Sequence, residues 1–462
     1  MSPMPAKAPL TALRADLVTF TGDPFLTDPA TCLAYTPDAI VVMGAGKIVD
    51  TGPAHEVLRR LPPDVTLRHY PDAIISAGFI DTHIHYPQTE MIGAFGEQLL
   101  EWLTTYTFVA EQHFAEAAHA ERVAGVFLRE LLRSGTTTAA VYCTVHPASV
   151  DAFFAESARF NTRMIAGKVL MDRHAPAALL DTPELAWSQS TALIERWHQR
   201  GRQLYCITPR FAATSSEAQL EVCGALRHAT PSAYVQTHLC ENINEIEWVQ
   251  ALFPERASYL EVYAHAGLVG PRSIYGHGVH LSEDDLCTCH RMGAALAHCP
   301  TSNLFLGSGL FRLFEAKDPR RPVRVGLGTD VGAGTSFSQL RTMGEAYKVA
   351  QLNQTRLNAI QAFYLATRGG AQALYLEDTI GTVAPGFEAD LVLLDRKATP
   401  LLAFRSDYCK DIVEQLFVLM TLGDDRAIQA TYVAGECVYE RDAPDEGFRY
   451  PGSGATAVAP AT

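Results

Sequence analysis

Between Phe79 and Asp330 short apolar runs alternate with amphipathic stretches, and this alternation restricts the fold more than any other feature of the chain. Parallel strands need a crossover long enough to hold a helix, so strand–helix repetition of this kind builds a parallel β/α sheet. The runs predict strands over Phe79–His85, Thr138–Cys143, Arg163–Met171, Gln203–Arg210, Ala233–Leu239, Ser273–Gly278, Ala294–His298 and Val323–Asp330. Eight is the count that closes a barrel. The clearest helix is predicted over Ala115–Arg133, where Val123, Val126, Phe127 and Leu131 recur at helical spacing. Glu116 in its first turn and Arg133 in its last suit the helix dipole, and Gly135 ends it.

The two ends of the chain read differently from its middle. Ile40–Met43 leads into Gly44-Ala45-Gly46, and Lys47–Asp50 leads out, which is a hairpin signal. Ala389–Leu394, Ile428–Val433 and Cys437–Tyr439 are further strands, with turn-rich Gly381–Gly386 before them. The expectation is an α/β protein: a (β/α)8 TIM-like barrel over residues 76–378, with a small β-sandwich assembled from residues 1–75 and 379–445. Residues 446–462, rich in Gly, Ala, Pro, Ser and Thr toward their end, read as a flexible tail.

Bulk chemistry removes several function classes. The formal charge of -14 argues against a general nucleic-acid surface and against attraction to anionic membranes. No apolar run reaches 18 residues and the N-terminus lacks a signal-like core, which leads to an expectation of a cytoplasmic protein. Ten cysteines without a Cys-x-x-Cys pair read as reduced, mostly buried residues.

Barrels of this kind carry their chemistry at the C-terminal ends of the strands. The first strand ends in His83-Ile84-His85, and alternation puts both imidazoles on one face. The fifth ends in His238, the sixth in His277 and the eighth in Asp330. Imidazoles and a carboxylate converging on one mouth make a metal site with room for water. His83, His85, His238 and Asp330 are the expected ligands; His277 either joins them or holds the attacking water. Asp330 could instead cap a following helix. The fourth strand ends in Arg210, not in the lysine that bridges two metals, so one metal is expected; zinc and iron both suit three histidines and an aspartate. Glu241, three residues past His238, is placed to move protons, although Glu245 and Glu247 after it also suit a solvated acidic helix. The long connection Tyr86–Phe114 reads as a wall or lid over the mouth, or as an extra packed helix. His119-Ala120-Glu121 copies half of the zinc signature of small nucleobase deaminases, but no Pro-Cys-x-x-Cys accompanies it; it reads as mid-helix, solvated surface.

Asp81-Thr82-His83-Ile84-His85, His238 with Glu241, His277 and Asp330 resemble the mononuclear deaminase branch of the amidohydrolase superfamily. His85–Met91, Leu99–Leu103, Tyr106–Phe108, Gly167–Asp172 and Thr208–Phe211 narrow the resemblance to the guanine deaminases. That resemblance implies one Zn2+ per subunit, with iron as the alternative, and a homodimer. It implies guanine as the small-molecule substrate, Gln88 and Arg210 on the purine amide edge and Phe211 on the ring face. His85, His238, Glu241 and Asp330 would border the same substrate. The implied reaction is attack of metal-activated water at C2, Glu241 protonating N3 and Asp330 relaying the water's proton, to give xanthine and ammonia. A related deaminase acting on another amino-heterocycle, such as 8-oxoguanine or an s-triazine, is the alternative; a non-catalytic relative would be expected to have lost ligands, and every one is present.

Overall fold

The structure is a computed structural model that describes residues 10–96, 98–443 and 445–452. The chain opens with β1 (Thr11–Phe20), β2 (Leu33–Gly44), β3 (Lys47–Pro53) and β4 (Thr66–Ala77). β5 (Phe79–His85) follows after Gly78 alone. A Cβ at position 78 would lie 2.3 Å from Thr137 Oγ1, so the chain crosses from one sheet to the next where only glycine fits.

The barrel continues with β6 (Thr136–Tyr142), β7 (Arg163–Gly167), β8 (Val169–Leu170), β9 (Leu204–Pro209), β10 (Tyr234–Leu239), β11 (Ser273–His277), β12 (Ala295–His298) and β13 (Arg324–Leu327). Its strands run parallel in the order β13-β12-β11-β10-β9-β7-β6-β5, with β8 paired to β9. The third predicted strand is therefore broken at Lys168, whose buried ammonium turns away to Asp181. The first and last strands are stitched together: Thr82 Oγ1 donates to the Leu327 carbonyl (3.0 Å) and the Asp330 amide donates to the His83 carbonyl (2.9 Å).

β14 (Leu391–Asp395), β15 (Ile428–Val433) and β16 (Glu436–Glu440) complete the smaller domain. Both termini build it, as expected, and its seven strands hydrogen-bond in one order, β16-β15-β14-β4-β1-β2-β3. Only β1 and β4 are parallel; the other pairs are antiparallel. Leu13, Leu17, Ile75, Leu391, Leu393 and Tyr432 alternate inward to form its core.

The helix expected from Ala115 spans Ala117–Arg133, with Glu116 at its N-cap rather than in its first turn. Val123, Phe127 and Leu131 are buried, but Val126 falls off the stripe and is 38% exposed. A tail is expected from residue 446, yet Phe448 and Tyr450 within that stretch pack against the folded chain. Phe448 is fully buried against Tyr439, and the Tyr450 hydroxyl donates to Glu156 (2.9 Å). Two aromatic rings outweigh the chain entropy of this segment, which a compositional reading of the stretch overlooks. The remainder of the expected tail, 453–462, lies outside the described residues. All ten cysteines are free thiols. Among the described residues no helix is long and apolar enough to cross a membrane.

The two domains are latched at the bottom of the barrel. Glu388, just before β14, accepts hydrogen bonds from Arg163 Nε (2.9 Å) and Arg202 Nη2 (2.5 Å), and Arg202 also pairs with Asp390. Burial alone would raise the Glu388 carboxyl, but the two guanidinium groups outweigh it and hold it below its ordinary value. A depressed carboxylate stabilises the fold above its unfolded pKa, and that contribution is lost as pH falls through the folded one. Glu388→Gln is expected to cost about 3 kcal/mol at pH 7, because it leaves two buried cations underpaired. The difference from the parent should begin to shrink below about pH 4 in denaturant titrations and go on shrinking as the parent's depressed carboxyl takes up its proton. A gap that stays constant with pH would assign the loss to packing.

Candidate active site

His83 and His85 leave β5 on the same face, at the C-terminal mouth of the barrel, and His238 reaches it from β10. Gly276 stands beside His238 in the β10–β11 register; a Cβ there would come within 2.5 Å of the His83 ring. The imidazoles can gather because this neighbour has no side chain. Backbone strain marks the same level of the barrel. Cys240, His277 and Asp330 have φ of 50°, 70° and 51°, a region that non-glycine residues rarely adopt. Asp330 is not a helix cap, since the next helix begins at Gln339 with Ser338 as its N-cap.

Four donors converge. The nearest ligand atoms of His83, His85, His238 and Asp330 lie within 4.8 Å of one another. His85 Nε2 is 3.2 Å from His238 Nε2, and Asp330 Oδ1 is 3.3 Å from Nε2 of both His83 and His85. Burial lowers the pKa of all three imidazoles, that of His85 to about 3, so they are neutral at pH 7. His238 Nδ1 donates to the Arg210 carbonyl (2.7 Å), which leaves the Nε2 lone pair aimed at His85. His83 Nε2 and His85 Nδ1 are buried with no hydrogen-bond partner among the described residues. Lone pairs crowded against a carboxylate in a dry site fit a divalent cation: nitrogen and oxygen donors, in the number and kind that a catalytic site uses.

His277 stands slightly apart. Its Nδ1 is 2.8 Å from Asn303 Oδ1 and its Nε2 faces Glu241 Oε2 at 3.3 Å, farther from Asp330 at 3.8 Å. Glu241 is buried, not part of a solvated acidic face, and its carboxyl accepts a hydrogen bond from Ser308 Oγ (3.2 Å). Glu245 behind it is also buried, capping the backbone amides of Glu241 and Asn242 and accepting from the Tyr259 hydroxyl. Only Glu247 is exposed. Burial, then the nearby Asp330 carboxylate, push the Glu241 carboxyl up to about 8. A cation in the site lowers it from there, toward the range in which a proton can be both given and taken near neutrality.

The cavity above these groups is lined by Gln88, Arg210, Phe211, Glu241, His277 and Asp330, with His85 and His238 at its floor. Its wall is the long connection after β5, which folds as a 3-10 turn (Pro87–Met91), a helical turn (Leu99–Trp102), a π-helical turn (Leu103–Thr107) and a helix (Phe108–Gln112). Leu99, Trp102, Leu103 and Thr107 face the cavity, so the wall reading of this stretch holds. The reading from the residues alone left Glu111 out. It is fully buried, and both its carboxylate oxygens accept from Arg210 Nη1 at 2.7 and 2.8 Å.

A second group of donors lies outside this mouth. His119 sits in the first turn of its helix and is half-buried, not mid-helix and solvated; its Nε2 is 3.0 Å from Glu90, which also pairs with His113 at 3.2 Å. Arg122 Nη2 lies 3.1 Å from His119 Nδ1 and can only donate to it. The Nδ1 lone pair of His119 is thereby engaged, and Glu90, His113 and His119 form a local polar cluster away from the barrel mouth.

A family model for the amidohydrolase family matches residues 74–438. The guanine deaminase of Escherichia coli (strain K12) is 50% identical over 413 residues, 89% of this chain and 94% of that protein. The chain belongs to the guanine deaminase family of the amidohydrolases. The structure of the E. coli guanine deaminase superposes with a TM-score of 0.91 at 48% identity, covering 94% of this chain and all of that one. Guanine deaminase from C. acetobutylicum with bound guanine in the active site gives 0.83 at 26% identity, covering 93% of this chain and all of that one. Membership accounts for the features described above: a barrel mouth holding three imidazoles and a carboxylate, under a wall formed by the long connection after β5.

Proposed function

We propose that this enzyme hydrolyses guanine to xanthine and ammonia, with one zinc ion per subunit held by His83, His85, His238 and Asp330. The observation that carries the reading is the joint placement of Gln88, Arg210 and Phe211 over the four converging donors. A bound divalent ion supplies a Lewis acid that brings the pKa of water toward neutrality. Guanine offers O6 as an acceptor beside N1–H as a donor, and Arg210 with Gln88 provides the complementary pair. Phe211, held edge-on by Trp248 at a centroid distance of 5.9 Å, covers a ring face.

Asp330 takes a proton from the attacking water as its oxygen bonds to C2. Glu241 protonates N3, so that C2 can become tetrahedral without building charge on the ring. The proton taken up by Asp330 passes to the exocyclic nitrogen, the C2–N bond breaks and ammonia departs, and Glu241 recovers a proton from the C2 hydroxyl as the carbonyl of xanthine forms, N3 keeping its hydrogen. His277, fixed through Asn303, keeps its Nε2 toward Glu241 and the reacting water. A homodimer, on the resemblance, and a cytoplasmic location, on the sequence features above, are part of the same proposal.

Zinc-loaded protein is expected to release one ammonia per xanthine formed from guanine, and to do so faster than from 8-oxoguanine or an s-triazine. Xanthine absorbance and ammonia are measured together across that panel. A faster rate on another amino-heterocycle would transfer the substrate assignment to it and leave the hydrolytic chemistry standing.

A further inference from the structure

We propose that Glu111 is a positioning residue that sets the purine preference of the cavity through Arg210 and Gln88. This rests on the reading above. Arg210 is 2% exposed and its guanidinium would be a costly buried cation without a partner. Its Nη1 is spent on both oxygens of Glu111, and its plane lies over the Phe108 ring at 5.6 Å. Nε and Nη2 make no hydrogen bond among the described residues, so those donors remain for a ligand in the cavity that Arg210 lines. Gln88 lines the same cavity beside Arg210, and while burial raises the Glu111 carboxyl, Arg210 and then Gln88 act against that rise. A carboxylate only accepts, so a Gln88 amide turned toward Glu111 would offer it the nitrogen and leave the amide oxygen to accept from the substrate.

One buried carboxylate thus presents two opposite faces to the substrate, an arginine that donates and a glutamine oxygen that accepts. That is the complement of a ring carbonyl beside a ring N–H. Arg210 is tied at its other end too, because its backbone carbonyl accepts from His238 Nδ1. The carbonyl-reading group and the metal-site histidine are therefore parts of one rigid unit, with Glu111 fixing the side-chain half of it. Glu111 is neither one of the four converging donors nor one of the residues that line the cavity. Its effect passes through its two neighbours.

The test compares two ligands in the same protein sample: guanine, and 2-aminopurine, which lacks both the C6 carbonyl and N1–H. In Glu111→Gln, kcat/KM for guanine is expected to fall roughly tenfold to a hundredfold, mostly through KM, the scale of a charge-assisted hydrogen bond. The inhibition constant for 2-aminopurine against guanine turnover should move less than about twofold, and Glu111→Asp should recover part of the guanine loss. Metal content should match the parent. Equal losses for both ligands, or unchanged guanine KM, would overturn the positioning role. If the parent itself fails to deaminate guanine, the functional reading fails first, and that outcome is separate from any seen in the variants.

Discussion

Glu241→Gln is expected to lower kcat for guanine by roughly a thousandfold while leaving metal content unchanged and KM within a few fold. The substitution keeps the shape of the side chain and its contact with Ser308, and removes only the ability to give and take a proton. Glu241 is not among the four donors that converge at the barrel mouth, so the metal should stay. It nevertheless lies 3.3 Å from His277 and lines the cavity, where the ring nitrogen to be protonated would stand. Burial and Asp330 keep its carboxyl high, which gives the parent a proton to donate near neutrality. The loss should therefore appear in kcat, across the pH range in which the parent is active. Turnover within tenfold of the parent, measured under saturating guanine, would remove Glu241 from the proton pathway.

That residue also shows where the sequence is legible and where it is not. His83, His85, His238, His277 and Asp330 could be found because strand ends are local features, and a parallel barrel brings all its strand ends to one mouth. Glu241 sat three positions from a ligand and gained weight from it. Glu111 had no comparable signal. Its partner Arg210 is 99 residues away, and its own neighbourhood, Val109-Ala110-Glu111-Gln112, reads as an ordinary helix surface. A buried charge declares itself only when the wall folds over and its counter-charge is known. Phe448 and Tyr450 were misplaced for a related reason: the composition around them is that of a tail, and although Tyr439 is near Phe448 in the chain, Glu156, which receives Tyr450, lies 294 positions away. The split of the third strand at Lys168 likewise depends on Asp181, which no pattern within the strand announces. Period and composition report what a residue does to its neighbours in the chain; pairing across the fold decides the rest.

Removal of the metal is expected to abolish turnover and to lower the melting temperature by several degrees. Three neutral imidazoles and a carboxylate are held at the mouth of the barrel by the strands themselves. The β5–β13 hydrogen bonds fix Asp330 against His83, and the Arg210 carbonyl fixes the tautomer of His238. The same cluster sets His85 Nε2 3.2 Å from His238 Nε2, at the level of the barrel where His277 and Asp330 take positive φ. A ligand that binds only the folded state at a thousandfold excess over its Kd contributes roughly 4 kcal/mol. In a protein of this size that corresponds to a shift of several degrees. Chelation followed by dialysis should show both losses. One equivalent of zinc should reverse them, and a parallel reconstitution with ferrous iron reports whether the site distinguishes the two metals. His83→Ala should behave as the chelated parent and gain nothing from added zinc, because it lacks one of the four donors. A chelated protein that retains full activity, or a His83→Ala variant that binds zinc as tightly as the parent, would place the metal elsewhere in the molecule.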